Sequence, residues 1–182
     1  MVTRLPPAER LRTLTAEELH QLLDVLFEPS PELHAVSSSL LGDERVFDYD
    51  VLLERIYLIL HDLLQSEVVN DTVRLDRILQ AHPRLGEKKV ESAQSQAEQA
   101  QLHSSDDQSS EELSAMNAIY EDKFDGLKYV VFVNGRPRKA ICKDMQARID
   151  RNDIHQERVE TIQAMCEIAA DRVRKLGMGL QA

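Results

Sequence analysis

The sequence predicts an all-α fold: one domain over residues 1–182, a bundle of seven or eight helices with one extended strap. Three observations carry this expectation. Apolar residues recur at three- and four-residue spacing through most of the chain, the period of a helix with one buried face. Only Tyr129–Val133 reads as a β-like run. Six Gly and six Pro are too few for a turn-dense all-β chain, and with 4% aromatics and no Trp an aromatic-rich sandwich is disfavoured. A length of 182 residues supports one sizeable core and not two.

The first helix opens at Thr15-Ala16-Glu17-Glu18, where Thr15 caps the N-terminus and Glu18 reaches back to it. Leu19, Leu22, Leu23 and Leu26 follow on one face. Pro29-Ser30-Pro31 interrupts the chain. A short helix then starts at Ser30 or Pro31, with Leu33, Val36, Leu40 and Leu41 as its stripe, and ends near Gly42. Asp48 or Asp50 opens a helix that is apolar on more than one face (Val51, Leu52, Ile56, Leu58, Ile59, Leu63, Leu64) and is therefore expected to be central. Asn70-Asp71-Thr72 is the expected cap of the next helix, with Val73, Leu75, Ile78 and Leu79 inward. It must stop before Pro83, because the residue preceding proline avoids the helical region.

Residues 91–112 are polar. Their first half contains good helix formers and suits one exposed helix; about 103–110 reads as a mobile polar loop. Leu113, Met116, Asn117 and Tyr120 share a face of a further helix. The strap Tyr129–Val133 ends in the turn pair Asn134-Gly135. A helix from about Lys139 to Asp150 follows, and Asp153 caps the last one, about 154–176, with Val159, Ile162, Met165, Cys166, Ala169 and Val173 inward.

With 22 basic and 32 acidic residues the net charge is −10, which disfavours binding to nucleic acid or an anionic membrane through bulk charge. The stretch Val51–Leu64 is interrupted by Glu54, Arg55, His61 and Asp62 and cannot span a bilayer. Two cysteines, Cys142 and Cys166, make neither a disulfide framework nor a four-thiolate metal site and read as small core hydrophobes in a reducing compartment. Met-Val-Thr-Arg-Leu-Pro-Pro at the start lacks an apolar signal core. Leu180-Gln181-Ala182 at the end is not a Ser-Lys-Leu type peroxisomal address, so a cytoplasmic location is expected, with a peroxisomal one as the alternative.

Three places carry candidate chemistry. His82 lies beside the rigid Pro83, at a helix end or in the loop beyond it, where free carbonyls can move an imidazole pKa; the same position suits a capping histidine. Ser95, Glu98 and Gln99, at i, i+3 and i+4, show a hydroxyl, a carboxylate and an amide on one helix face, which also describes a solvated face. Arg172, among Ile168, Ala169 and Val173, can point inward and then needs an anion; pairing with Asp171 or Glu167, or snorkelling, is the alternative. No His-Glu-x-x-His, Cys-x-x-Cys, Gly-rich phosphate loop or Gly-x-Ser-x-Gly elbow is present, and no metal site is expected.

Together, His82-Pro83, Ser95-x-x-Glu98-Gln99, Asn117-x-x-Tyr120-x-x-Lys123-Phe124, Val133-Asn134-Gly135-Arg136, Arg148-Ile149 and Ile168-Ala169-x-x-Arg172-Val173 resemble the 2-oxo-4-hydroxy-4-carboxy-5-ureidoimidazoline (OHCU) decarboxylase family of urate breakdown. The resemblance runs from about Thr15 to Leu176. It implies a cofactor-independent carboxy-lyase that forms (S)-allantoin, all-α and homodimeric, whose partner is a small ureidoimidazoline. His82 and Glu98 match the family's catalytic positions. Pro83, Ser95, Gln99, the strap residues Tyr129, Val130, Val131, Phe132 and Val133, and the anion-binding Arg172 match its substrate contacts. The chain departs from the family where Gly-Phe-Pro-Phe enters the strap: it reads Gly126-Leu127-Lys128-Tyr129, with Asp125 as an extra residue before it. A non-catalytic interaction module on this fold, or a lyase acting on a related ureido acid, remain the alternative expectations.

Overall fold

The computed structural model describes residues 5–86, 93–99 and 107–177, with the backbone alone described at 93, 97, 99 and 107–110. Eight α-helices occupy these residues: α1 (Ala16–Phe27), α2 (Pro31–Val36), α3 (Tyr49–Gln65), α4 (Val69–Leu79), α5 (Ala93–Gln99), α6 (Asp107–Lys123), α7 (Arg138–Arg151) and α8 (Ile154–Gly177). Two short 3-10 helices, Ala8–Thr13 and Ser37–Leu40, precede α1 and continue α2.

The starts of the helices follow their capping chemistry. The reciprocal box at Thr15 and Glu18 is formed, the Thr15 hydroxyl accepting from Glu18 N at 3.2 Å and Glu18 Oε2 from Thr15 N at 2.8 Å. Ser30 caps α2 with proline at its first position, and Asp48 caps α3. Asp153 accepts from Gln156 N at 3.0 Å at the start of α8. At α4 the expected cap is displaced: the helix begins at Val69, so Asn70, Asp71 and Thr72 lie inside it. Asp71 instead receives the Ser66 hydroxyl at 2.6 Å, tying the α3–α4 corner.

The core lies between α8 and the layer of α1, α3 and α4, with α6 and α7 paired beside it. Helix α3 is central as expected, burying Leu52, Leu53, Ile56, Leu60 and Leu63. Its second apolar side is not covered; Leu58 is 43% exposed, and on α4 Val73 is 44% exposed rather than inward. On α8, Ile162, Met165 and Ala169 are buried, while Val159, Cys166 and Val173 are only partly covered at the margins of the same face. Both cysteines are free and half-buried, and burial pushes the Cys166 thiol up to about 12.

Two expectations in the polar stretch need correction. Helix α6 begins at Asp107, so the end of the anticipated 103–110 loop is helical; its first part, to 106, lies outside the described residues. Helix α5 is not simply exposed, because Ser95 is buried.

The strap 129–133 is extended without strand pairing. Tyr129 roots it: its ring is buried, its hydroxyl donates to Asp144, and the Arg148 guanidinium lies 5.0 Å over its face. At the far end Asn134 and Gly135 both take positive φ (39° and 74°), and Arg136 N donates to Val133 O at 2.8 Å. That is the geometry for which Asn-Gly is suited, since neither carries a branched Cβ. Beneath the strap the fully buried Glu157 receives the Tyr120 hydroxyl and is paired with Arg148 at 3.0 Å and Arg151 at 3.2 Å. Among the described residues no helix is long and apolar enough to cross a membrane.

Candidate active site

Helix α4 ends at Leu79, and the chain turns through Gln80 and Ala81 to put His82 in the loop beyond it. Two contacts from α6 pin that loop. Arg84 Nε donates to Glu121 at 2.7 Å, and buried Asn117 donates from Nδ2 to the Leu85 carbonyl at 2.9 Å. Gly86 then turns with φ 77°; a Cβ there would lie 2.6 Å from Leu113 Cδ2, so the loop sits tight against α6.

A cavity of about 160 Å³ opens beside this loop. His82, Pro83 and Leu85 form one wall, Ser95 and Glu98 of α5 another, and the strap 129–133 with Asn134 and Gly135 a third; Ile168, Asp171 and Lys175 of α8 complete it. The volume lies below the ~300 Å³ at which drug-sized pockets begin, which suits a small polar ligand. Among the described residues the strap residues Val130, Val131 and Phe132 make no backbone–backbone hydrogen bond, so their amide groups are available along that wall.

His82 is buried, and its Nε2 meets no hydrogen-bond partner among the described residues. Burial, with the positive charges of Arg172 and Lys128 as lesser causes, lowers its pKa to about 3, so the imidazole is neutral at pH 7. A buried polar atom without a partner costs free energy, and it marks a place where a ligand atom is worth most.

Behind Ser95 and Glu98 lies Arg172, only 2% exposed. Its Nε and Nη2 donate to the two oxygens of Glu98 at 2.8 and 2.9 Å. The same Nη2 lies 2.7 Å from Glu28 Oε1 and 2.9 Å from Ser95 Oγ, and Nη1 donates to the Val25 carbonyl at 3.0 Å. The Ser95 hydroxyl in turn donates to Glu28 at 2.6 Å. The family resemblance implies that Arg172 contacts the ligand, and the residues alone also allow pairing with Asp171 or Glu167. Instead it is not a wall of the cavity, and its anions are Glu98 and Glu28, which reach it from α5 and from the end of α1.

The sequence gives no sign of a role for Glu28. It caps the C-terminus of α1 with φ 75° and is buried, although carboxylates are rarely buried unless paired. The only local signal was the break at Pro29-Ser30-Pro31, which says that α1 ends there and nothing about what Glu28 meets. Asp171, Lys175, Asn134 and Gly135 were likewise not singled out as wall residues. Gln99 closes α5, and its side chain lies outside the described residues. Pro83, Ser95, Glu98 and the five strap residues all line the cavity with His82.

The constellation is thus a neutral imidazole, a guanidinium-held carboxylate and a hydroxyl, set around a small cavity with the strap along one wall. A sequence profile of the OHCU decarboxylase family matches residues 12–174. The chain belongs to that family. OHCU decarboxylases are carboxy-lyases. The fold is shared with a solved structure described as (S)-allantoin synthase, at a TM-score of 0.61 and 16% identity over 93% of this chain. The match covers 54% of that chain, so this OHCU decarboxylase family member spans about half its length. No curated protein matches the sequence.

Proposed function

We propose that the protein decarboxylates 2-oxo-4-hydroxy-4-carboxy-5-ureidoimidazoline to (S)-allantoin in urate degradation. The observation that carries this reading is the joint placement of His82, with its unpaired Nε2, and of Glu98 on the wall of one small cavity.

The chemistry asks little beyond orientation. As the carbon–carboxylate bond breaks, CO2 leaves, its electron pair forms a double bond to the adjacent ring carbon, and the displaced carbon–nitrogen π pair takes a proton from solvent at the ring nitrogen, giving an enol. The hydroxyl then loses its proton as the ring carbonyl forms, and the neighbouring carbon gains one. The ring itself is the electron sink, so the chemistry requires no metal or organic cofactor. His82 is the acid–base group for the hydroxyl side: neutral Nε2 receives the hydroxyl proton, and the same imidazole returns one to a single ring face. Arrival of the substrate carboxylate raises the His82 pKa, because a nearby negative charge favours imidazolium. Glu98 accepts hydrogen bonds from ureido or ring N–H groups, and Ser95 with the backbone of Val130–Val133 fixes the ring amides. Pro83 stiffens the His82 loop, and Gln99 belongs to the same α5 end. Arg172 acts through Glu98 by holding its carboxylate in place.

The deciding experiment supplies freshly generated substrate to the purified protein and follows CO2 release and the chirality of the allantoin formed. Acceleration with an excess of the S enantiomer is the expected result. Spontaneous rate and racemic product from a folded protein overturn the reading and favour a non-catalytic module; turnover of another ureido acid instead moves it to a related lyase. The homodimeric state and the cytoplasmic location belong to the same proposal, and light scattering of the purified protein tests the former.

A further inference from the structure

Among the described residues the wall of the cavity offers little to answer the substrate's negative charge. A carboxylic acid about to lose CO2 arrives as an anion. Glu98 and Asp171 on the wall are acidic, and His82 is neutral. Arg172 is behind Glu98, with Nε, Nη1 and Nη2 all engaged by Glu98, Glu28, Ser95 and the Val25 carbonyl. Lys128 acts on His82 from the strap entrance and is not a wall residue. Among the described wall residues the cation is Lys175.

Lys175 follows Asp171 by one helical turn on α8, and its Nζ lies 2.5 Å from Asp171 Oδ2. The lysine side chain is 61% exposed and the aspartate 14%, so a long flexible stem stands over a partly buried partner at the cavity mouth. Asp171 has a second cation, Arg174, at 3.2 Å from its other oxygen. The aspartate therefore stays paired if the lysine swings away. An ammonium that can change partners without stranding its first one is suited to capture an incoming anion.

We propose that Lys175 is the specificity-determining residue that receives the substrate carboxylate, exchanging Asp171 for it at the mouth of the cavity. This rests on the decarboxylase reading for the identity of the acid, and on the arrangement of Lys175, Asp171 and Arg174 for the capture itself. The charge on the carboxylate disperses into the ring as CO2 departs. A cation on that carboxylate therefore favours the bound ground state at least as much as the transition state, and its benefit falls on KM.

The test has two arms. In the first, Lys175→Met raises KM for the ureidoimidazoline roughly tenfold at low salt with kcat unchanged, Lys175→Arg restores most of the loss, and the salt dependence of kcat/KM weakens in Lys175→Met. In the second, wild type and Lys175→Met are titrated with orotate and with uracil, a cyclic ureide pair differing in one carboxylate. Wild type is expected to prefer orotate, and the variant to lose that preference. An unchanged KM, or a fall in kcat alone, overturns the proposal. If wild type shows no turnover, the decarboxylase reading fails while the orotate arm still decides the capture: equal behaviour of wild type and variant toward orotate, including no binding by either, overturns it.

Discussion

Arg172 grips Glu98 with two nitrogens, at 2.8 and 2.9 Å, across 74 residues of sequence. This fork joins α8 to α5, and Glu28, which shares Nη2 with Glu98, joins both to the end of α1. The Glu98 carboxylate, on a short helix, is thereby positioned by the longest helix among the described residues. Bidentate pairing fixes direction as well as distance, which a lone ammonium does not.

Removing the guanidinium strands two carboxylates. Arg172→Met is expected to lower stability by about 3–5 kcal/mol, because Glu28 is then buried without a counter-charge. Adding Glu28→Gln to that variant should recover part of the loss. Urea denaturation of the single and double variants measures both; additive losses would mean that the two residues do not act on each other.

Glu98→Gln keeps the shape of the side chain and deletes its charge. Glu98 is partly open to the cavity, and Arg172 retains Glu28, so the stability cost should be smaller than for Arg172→Met. Turnover should fall far more, by ~10²-fold or greater if Glu98 orients the ring. Thermal melting beside initial rates separates the two effects; a stability loss with turnover intact would make Glu98 a strut only.

His82→Ala removes the proposed acid–base group without touching the Arg172 network. The expected loss in turnover is ~10²–10⁴-fold, with the helical circular dichroism unchanged. Equal rates for variant and wild type would eliminate the proposed mechanism.

The acid side of the stability profile carries a second signature of His82. Its folded pKa of about 3 lies below the unfolded value of 6.5, so in that interval the unfolded chain binds the extra proton. Stability from this group is fully present above about pH 6.5 and is lost as pH falls toward 3, with a limiting slope of about 1.4 kcal/mol per pH unit. His82→Gln should flatten the profile between those limits relative to wild type. The comparison is made by urea unfolding at a series of pH values, and superimposable profiles would mean that the imidazole is not held neutral by burial.

Local chemistry made much of the fold legible. Thr15 with Glu18, Ser30 before Pro31, Asp48 and Asp153 each announce a helix start through groups within three residues, and each forms. Asn134-Gly135 announces the turn that ends the strap. The pattern fails where the partner is remote: Val73 reads as inward by spacing but is 44% exposed, and Leu58, on the second apolar side of α3, is 43% exposed.

The candidate site divides in the same way. The sequence by itself determined the helical frame, that His82 lies at or just beyond the end of α4, the i, i+3 register of Ser95 and Glu98, and the family. Only the tertiary structure decided what Arg172 holds, that buried Glu28 shares it, and that Lys175 rather than Arg172 stands on the cavity wall. The physical reason is range: caps and turns are settled by neighbours along the chain, whereas a buried charge finds its counter-charge only where packing brings α1, α5 and α8 together.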